Sequence, residues 1–291
     1  FKYLWSPIVD NFRIPFFEKL GHRRSWLLFA QLMIMFSLIA TSLTDPSKNL
    51  IPISITITLL AIFSATQDIV IDAYRIESAP QKLQGPLSSM YIAGYRLAML
   101  VGGAGSLWIA SYFGGEIYDQ NVWKIVYLIM ALLMSTGIIT TIMSDEPKIK
   151  KNNFLNVNEH SKFLFVFMIA LSGFIYLYNV VENPFLNDEI IKKFTFSLAR
   201  IFSCFAFSAV IIFLLMNIGF ISKEKVGKIY VEPFTNFTNR YGKFAISIIL
   251  LISLYRIADI VMGVVANIFY LEKGFNIKEI ATYSKFFGAF A

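Results

Sequence analysis

The chain has 291 residues, of which 56% are hydrophobic and 15% are charged, with a formal net charge of +7. Soluble domains carry about 25% charged residues, so this composition excludes an ordinary soluble domain and predicts a polytopic membrane protein. The positive charge does not indicate a nucleic-acid partner, because the basic residues lie between apolar runs and form no stripe interleaved with aromatic side chains.

Apolar runs long enough to cross a bilayer recur along the whole chain. An opening segment reads as the end of one span, and another span begins near the last residues. Continuous apolar runs of this length predict helices rather than alternating strands, so the predicted fold class is all-α, a polytopic membrane helix bundle. The predicted complete spans are 25–43, 50–76, 84–113, 121–143, 163–182, 195–218 and 243–270.

Lysine and arginine are distributed unevenly between the two sides that these spans define. The loops 13–24, 75–82, 144–162 and 219–243 hold 15 of them, whereas the segments on the other side hold 9. Because loops rich in lysine and arginine stay on the cytoplasmic side, these four loops are predicted to be cytoplasmic. The predicted location is the inner (cytoplasmic) membrane, with multiple passes.

Ionisable residues inside the predicted spans are candidates for function, because a charge near the bilayer centre costs about 2.5–3.5 kcal/mol and has to pair or face water. In the segment SATQDIVIDAYRIE, Asp68, Asp72 and Arg75 share one face of a helix. Asp68 and Asp72 therefore fit a proton or substrate relay. A purely structural ion pair of Asp72 with Arg75 or Arg96 is the alternative.

Two other predicted spans carry charges at depth, in GYRLAMLVGGAGSLW and SLYRIADIVMG. Arg96 requires either an anionic substrate or a carboxylate partner, which Asp68 or Asp72 could supply. Arg256 and Asp259 are three residues apart and could pair locally. The depth of Asp259 makes it a further candidate for coupling or binding.

The loop WSPIVDNFRIPFFEKLGHRRSW joins two predicted spans and carries an acid, separated by ten residues from a glycine and a basic pair. It resembles the cytoplasmic loop between the second and third helices of the major facilitator superfamily. In that family the acid and the basic groups form an interhelical charge network that steadies one conformational state. The resemblance implies a charge network for gating whose candidates are Asp10, Gly21, Arg23, Arg24 and Arg75.

The order of the motifs is more specific than any one of them. KYLWSPIVDNF, SATQDIVIDAYRIE, GYRLAMLVGG, LYRIADIVMG and FYLEKGFNIKEIATYSKFFG resemble, in that order, the AmpG-type muropeptide permeases over about 1–147 and 230–291. The resemblance implies proton-driven import of N-acetylglucosaminyl-1,6-anhydro-N-acetylmuramyl peptides for peptidoglycan recycling, a process that feeds the induction of β-lactamase.

The same resemblance implies roles for the charged and polar residues at membrane depth. Arginines would meet the carboxylates of the muropeptide, and amide and phenol groups would bond its sugar hydroxyls. The implied substrate-binding candidates are Gln67, Tyr95, Arg96, Tyr255 and Arg256. The implied candidates for proton coupling are Asp68, Asp72 and Asp259.

On this resemblance the chain is a major facilitator-like bundle that is incomplete at both ends, because it begins at helix 2 of the superfamily count and reaches helix 8. Two of the predicted spans have no place in the shortest members of the family, and they read as an inserted pair. The expected organisation is an N-terminal helix bundle (helices 2–6) at 1–147, a cytoplasmic linker at 148–162, an inserted transmembrane helix pair at 163–218, a second cytoplasmic linker at 219–242 and the start of the C-terminal helix bundle at 243–291.

Other functions stay open at this point. They are an acetyl-CoA or other anionic-solute carrier of the same superfamily, a drug exporter, a membrane-embedded transferase and a non-transporting truncated remnant. The sequence contains no Walker glycine loop and no GxSxG or HExxH motif, which argues against ATP drive and against an enzyme.

Metal and cofactor sites are not expected. His22 and His160 have no cysteine or carboxylate at ligand spacing, and Cys204 lies in an apolar run where packing explains it. The expected partners are the muropeptide, protons and membrane lipids, with no nucleic acid, and the expected state is a monomer.

Overall fold

The computed structural model describes residues 2–114, 118–147, 157–184 and 190–286. Every regular element within these ranges is helical, which confirms the predicted all-α class. The α-helices are α1 (Lys2–Asn11), α2 (His22–Ser42), α3 (Leu50–Ser78), α4 (Gln84–Met99), α5 (Ser106–Gly114), α6 (Gln120–Met143), α7 (Val157–Val180), α8 (Ile190–Asn217), α9 (Lys223–Val226), α10 (Glu232–Tyr241), α11 (Phe244–Glu272) and α12 (Ile277–Glu279). Short 3₁₀ helices occupy Pro15–Leu20 and Gln81–Leu83, and π-helical segments occupy Leu100–Gly105, Gly227–Val231 and Ile280–Phe286.

Six helices of the described ranges are long and apolar enough to cross a membrane, which matches a multi-pass membrane protein. They begin and end within a few residues of the predicted spans. Their bounds are His22–Ser42, Leu50–Ser78, Gln81–Gly114, Gln120–Met143, Ser161–Val180 and Ile190–Asn217. Helix α11 corresponds to the predicted span 243–270 and contains a shorter apolar stretch, Phe244–Tyr255.

The chain divides into two compact units. The larger unit comprises residues 13–150 and 244–291 together with Lys2, and the smaller unit comprises 3–12 and 151–243. In the structure Tyr3–Phe12 belong to the same unit as α7–α10. The predicted organisation, which placed residues 1–12 in the N-terminal bundle, stays a prediction. The predicted linker 219–242 is largely helical, since α9, a π-helical segment and α10 lie within it. Most of the linker 148–162 lies outside the described residues.

Helix α2 forms the centre of the larger unit, where it packs between α3 and α6. More than half of its apolar window, 56%, is buried. Small hydroxyl residues contribute much of that buried face, and their polar groups are satisfied within the helix: Ser37 donates to the Met33 carbonyl (2.7 Å) and Thr41 to the Ser37 carbonyl (2.8 Å). Small residues of this kind let membrane helices approach closely.

The long helix Gln81–Gly114 changes from α to π geometry at its glycine-rich centre, Leu100–Gly105. This segment packs against the third π-helical segment, Ile280–Phe286. Ala104 and Ala281 are fully buried, and the Trp108 indole donates to the Thr282 hydroxyl at 3.2 Å. The small side chains of these two alanines allow the two segments to pack closely.

In the smaller unit, α7 and α8 pack against each other as a pair. A Cβ on Gly173 would lie 2.5 Å from Cδ1 of Ile211, so the glycine permits the close approach of these helices. The Ser208 hydroxyl of α8 donates to the Ala170 carbonyl of α7 at 2.9 Å. Helix α1 contacts the same pair, since the ring of Trp5 lies 5.4 Å from that of Phe167.

Candidate functional site

The N-terminus of α2 binds the carboxylate of Glu146, which lies three residues after the end of α6. One oxygen of Glu146 accepts from the backbone N–H of Arg23 (2.8 Å), and the other accepts from the backbone N–H of Arg24 (3.0 Å). These N–H groups have no partner inside the helix and carry the positive end of its dipole, so a carboxylate is well placed there. Gly21 precedes them with φ 95° and ψ 176°, and a Cβ at Gly21 would lie 2.4 Å from the Glu146 side chain.

The Arg23 side chain binds the end of α3. Its Nη2 and Nε lie 2.6 and 2.9 Å from the two carboxylate oxygens of Glu77, which is a bidentate pair. The Arg23 side chain is only 4% exposed and that of Glu77 is 24% exposed. Burial on this scale makes the pair sensitive to the removal of either partner.

Arg24 and Tyr74 complete the connections between the same three helices. The Arg24 guanidinium donates to the backbone carbonyls of Thr141 and Ile142, the last turn of α6. The Tyr74 hydroxyl of α3 donates to the Asp145 carbonyl at 2.6 Å. We call Gly21, Arg23, Arg24, Glu77 and Glu146 the charge network. It joins α2, α3 and α6 at the end that is predicted to be cytoplasmic.

Three of the five predicted gating residues, Gly21, Arg23 and Arg24, belong to this network. Asp10 lies at the end of α1 in the smaller unit, whereas the network lies in the larger one. Arg75 belongs to a different group on α3. The acids Glu77 and Glu146 were not among the sequence candidates, although both follow a predicted span on the side that the arginines occupy.

A second polar group lies between α3 and α4. The Arg75 guanidinium lies 3.7 Å from Asp72 Oδ1 on its own helix. It also donates to the Ser88 hydroxyl of α4 and lies 5.4 Å from the centre of the Tyr91 ring. We call Asp72, Arg75, Ser88 and Tyr91 the polar seam. Arg75 Nε is buried there without a hydrogen-bond partner among the described residues, so the seam retains one unused donor.

Asp68 lies one turn further along the same face of α3, about 15 Å along the helix axis from Ser78. Its carboxylate pairs with the Lys2 ammonium at 2.9 Å, and its side chain is 47% exposed. The neighbouring Gln67 has its side-chain oxygen buried without a partner in the part of the chain that the structure describes. An exposed carboxylate beside a spare acceptor can exchange a proton or accept a hydrogen bond from a ligand.

Of the ion pairs that the sequence left open, that of Asp72 with Arg75 is present. Among the described residues Arg96 pairs with neither Asp68 nor Asp72, and Asp68 pairs with Lys2. Arg96 is exposed on α4, as is its neighbour Tyr95. The physical reason is that the cation closest to Asp72 is Arg75 of the same helix, which contacts α4 at Ser88 and Tyr91.

The candidates of the segment SLYRIADIVMG lie in α11. Tyr255 is 73% exposed, whereas the side chains of Arg256 and Asp259 lie outside what the structure describes. The roles proposed for Tyr255, Arg256 and Asp259 therefore stay predictions. In the described ranges no group of three or more histidine, cysteine, aspartate or glutamate side chains forms a possible metal site, and Cys204 is a buried free thiol.

Residues 1–272 match the Major Facilitator Superfamily. Over 290 residues the chain is 28% identical to AmpG 4 of Rickettsia conorii, and the aligned region covers 100% of this chain and 53% of that relative. Over 147 residues it is 36% identical to the anhydromuropeptide permease of Escherichia coli K12, and this aligned region covers 50% of this chain and 28% of the permease. A third relative, AmpG 3 of Rickettsia prowazekii, is 38% identical over 151 residues, 51% of this chain and 34% of that protein.

These matches confirm the resemblance that the order of motifs predicted. The chain spans about half the length of the Rickettsia conorii relative. That match includes the helix pair α7–α8, because it covers the whole of this chain. No solved structure matches the chain.

Proposed function

Because the chain belongs to the Major Facilitator Superfamily, we propose that it forms part of a proton-coupled secondary transporter. The proposed substrates are N-acetylglucosaminyl-1,6-anhydro-N-acetylmuramyl peptides, imported across the inner membrane for peptidoglycan recycling. The observation that carries the proposal is the relationship to the anhydromuropeptide permease of Escherichia coli, at 36% identity over 147 residues. We propose a monomer, with no catalytic residues.

The proposed proton site is Asp68, supported by Asp72. Asp68 is half-exposed and holds one strong partner, the Lys2 ammonium. Protonation of the carboxylate would cancel its charge and weaken the attraction to Lys2, so proton binding at Asp68 would be coupled to a movement of α3 relative to that partner. Arg75 contacts both Asp72 of its own helix and Ser88 of α4. Through these contacts of the polar seam, a movement of α3 would be transmitted to α4. Asp259 is the third proposed member.

The proposed substrate site uses the exposed polar side chains. Arg96 is free to meet a carboxylate of the peptide, because Asp68 and Asp72 are occupied by other cations. The spare acceptor on Gln67 suits a sugar hydroxyl. Tyr95, Tyr255 and Arg256 complete the proposed set. The charge network would hold the cytoplasmic ends of α2, α3 and α6 together in one conformational state. Asp10 and Arg75 lie outside this network, and their gating roles stay predictions.

The test is uptake of labelled anhydromuropeptide into membrane vesicles that contain the full-length transporter with this chain, with and without a proton gradient. We expect accumulation only with the gradient. Equal uptake with and without it would overturn proton coupling. Gradient-driven uptake of acetyl-CoA, with none of the muropeptide, would replace the proposed substrate.

We expect Asp68→Asn to abolish the accumulation of labelled muropeptide that the proton gradient drives, because asparagine cannot take up the coupled proton. Membrane insertion should stay intact, because asparagine keeps the shape of the side chain. The measurement is the ratio of internal to external label. Asp119→Asn is the matched control, because Asp119 caps α6 through the Asn121 N–H and asparagine caps a helix as well as aspartate does. Unchanged accumulation by Asp68→Asn would remove Asp68 from the proton path.

We expect Arg96→Lys to weaken muropeptide binding about tenfold, because lysine cannot present the planar fork that binds a carboxylate bidentately. The measurement is the concentration of unlabelled muropeptide that displaces the labelled one. Arg240→Lys, an exposed change on α10, serves as the control. Equal displacement curves for the wild type and Arg96→Lys would assign Arg96 no part in binding.

A further inference from the structure

Helix α10, near the end of the linker 219–242, has two unlike faces. One face carries aromatic rings at the spacing i, i+3 and i+7, and they belong to Phe234, Phe237 and Tyr241. The opposite face is polar and consists of Thr235, Asn236 and Asn239. A helix with this pattern is amphipathic and suits a boundary between water and an apolar phase.

The aromatic face of α10 is largely exposed. Phe234 is 55% exposed and Tyr241 is 41% exposed, and the rings of Phe237 and Tyr241 lie 4.8 Å apart. The main packing contact of α10 is with the π-helical segment that precedes it. Because the exposure of aromatic rings to water is unfavourable, this face suits an apolar environment better than the cytoplasm.

The start of α10 lies close to the level at which α7 enters the membrane. Ile229 and Tyr230 line one small pocket together with Phe163 of α7, and the apolar span of α7 begins at Ser161. The π-helical segment that carries Ile229 and Tyr230 ends at Val231, directly before α10. Helix α10 therefore begins near a membrane surface.

The other end of α10 leads back to the membrane. Only Gly242 and Lys243 separate α10 from α11, which corresponds to the predicted span 243–270. With ten residues, α10 is about 15 Å long. A helix that begins and ends at one membrane surface lies along that surface.

The segment 223–243 is basic, with a formal charge of +3 from five lysine or arginine residues and two glutamates. The basic residues are Lys223, Lys225, Lys228, Arg240 and Lys243. The Arg240 guanidinium lies 5.7 Å from the centre of the Tyr241 ring, so a cation borders the aromatic face. The linker is predicted to be cytoplasmic, and acidic lipids of the cytoplasmic leaflet attract basic segments at the membrane surface.

We propose that α10 is a membrane-surface helix that lies in the plane of the cytoplasmic leaflet. Its aromatic face enters the headgroup region, and the basic residues of 223–243 attract acidic phospholipids. Helices that combine an aromatic face, a polar face and basic residues bind membranes in this way. The linker is thereby anchored to the lipid surface, whichever solute the transporter carries.

The experiment measures the depth of nitroxide labels on single cysteines of α10, in the purified 291-residue chain with Cys204→Ala. The chain is placed in lipid nanodiscs of phosphatidylcholine and phosphatidylglycerol in equal amounts. Collisions with oxygen, which concentrates in lipid, and with a water-soluble nickel chelate give each depth. We expect labels at Phe237→Cys and Tyr241→Cys about 5–10 Å into the boundary between headgroups and acyl chains. Labels at Asn236→Cys and Asn239→Cys, on the polar face, are the matched controls and are expected in water.

Two outcomes would overturn the proposal. Labels on both faces that are equally accessible to the nickel chelate would place α10 in water. A label at Phe237→Cys that is protected from oxygen as well as from the chelate would show that protein, and not lipid, covers the aromatic face.

The preference for acidic lipid has a separate test. In nanodiscs of phosphatidylcholine alone, the label at Phe237→Cys is expected to lie closer to water than in the mixture. Added salt should have the same effect in the mixture, because it screens the attraction between the basic residues and the headgroups. Arg240→Gln is expected to make the label shallower, whereas Lys192→Gln, an exposed change at the start of α8, should not. Equal depth in both lipids would contradict the contact with acidic headgroups.

Removal of rings tests the aromatic face. With the label at Phe237→Cys, the double change Phe234→Ser and Tyr241→Ser is expected to bring the label to the depth of the polar-face labels. Thr235→Ser combined with Asn236→Ser alters the polar face and should leave the depth unchanged. A label that keeps its depth without the two rings would contradict the role of the aromatic face. Circular dichroism verifies the helix content of each variant, and the single-label depths test the proposal with both rings in place.

Discussion

Replacement of Gly21 by alanine is expected to lower the free energy of unfolding by about 3 kcal/mol. The backbone of Gly21, at φ 95° and ψ 176°, lies in a region that is essentially restricted to glycine and costs other residues about 1–3 kcal/mol. The added Cβ would also lie 2.4 Å from the Glu146 side chain. The carboxylate would have to leave the two N–H groups that it caps, and the loss of a helix cap costs about 1 kcal/mol.

The measurement is unfolding of the chain in mixed micelles with increasing dodecyl sulfate, followed by circular dichroism. Gly94→Ala is the control, because Gly94 lies in α4 with nothing near its missing Cβ and alanine favours a helix by up to about 1 kcal/mol. Glu146→Ala alone should lower the free energy of unfolding by the amount that the helix cap contributes. Combined with Gly21→Ala it should add little further loss, since both changes disturb the same contact. Equal stability of the Gly21 and Gly94 variants would refute this account.

Removal of one partner of the Arg23–Glu77 pair is expected to cost about 3 kcal/mol, because it leaves the other charge largely buried. The variants are Arg23→Met and Glu77→Leu, which keep most of the volume of each side chain. The double variant is expected to cost clearly less than the sum of the two, because no uncompensated charge remains. The unfolding measurement in mixed micelles gives all three values.

A surface pair provides the comparison for this cycle. Glu224→Gln breaks the exposed pair with Lys228 and is expected to change stability little, because surface ion pairs are solvated and screened. In the vesicle uptake assay we also expect Arg23→Met to reduce uptake, since α2 would lose its ion pair with Glu77 of α3. Strictly additive losses in the cycle would show that Arg23 and Glu77 stabilise the chain through other contacts.

The polar seam shows what a sequence pattern can and cannot predict. One face of α4 carries four polar residues at helical spacing, Gln84, Ser88, Tyr91 and Tyr95. This spacing is a sequence signal for a polar contact on that face. Even with it, the choice of Ser88 and Tyr91 as the neighbours of Arg75 depends on where α4 approaches α3. A face is a property of one helix, whereas a contact depends on the relative position of two.

The sequence by itself determined the all-α class, the membrane-length helices and the family, because apolar length, helical period and the order of motifs are read along a single chain. It also indicated Gly21, Arg23 and Arg24, at the start of α2, as candidates for a charge network. The tertiary structure alone decided their partners: Arg23 binds an acid 54 positions away, and Glu146 caps a helix that begins more than 120 positions before it. Such pairs form because helix packing brings distant helix ends together, and no local pattern records that distance.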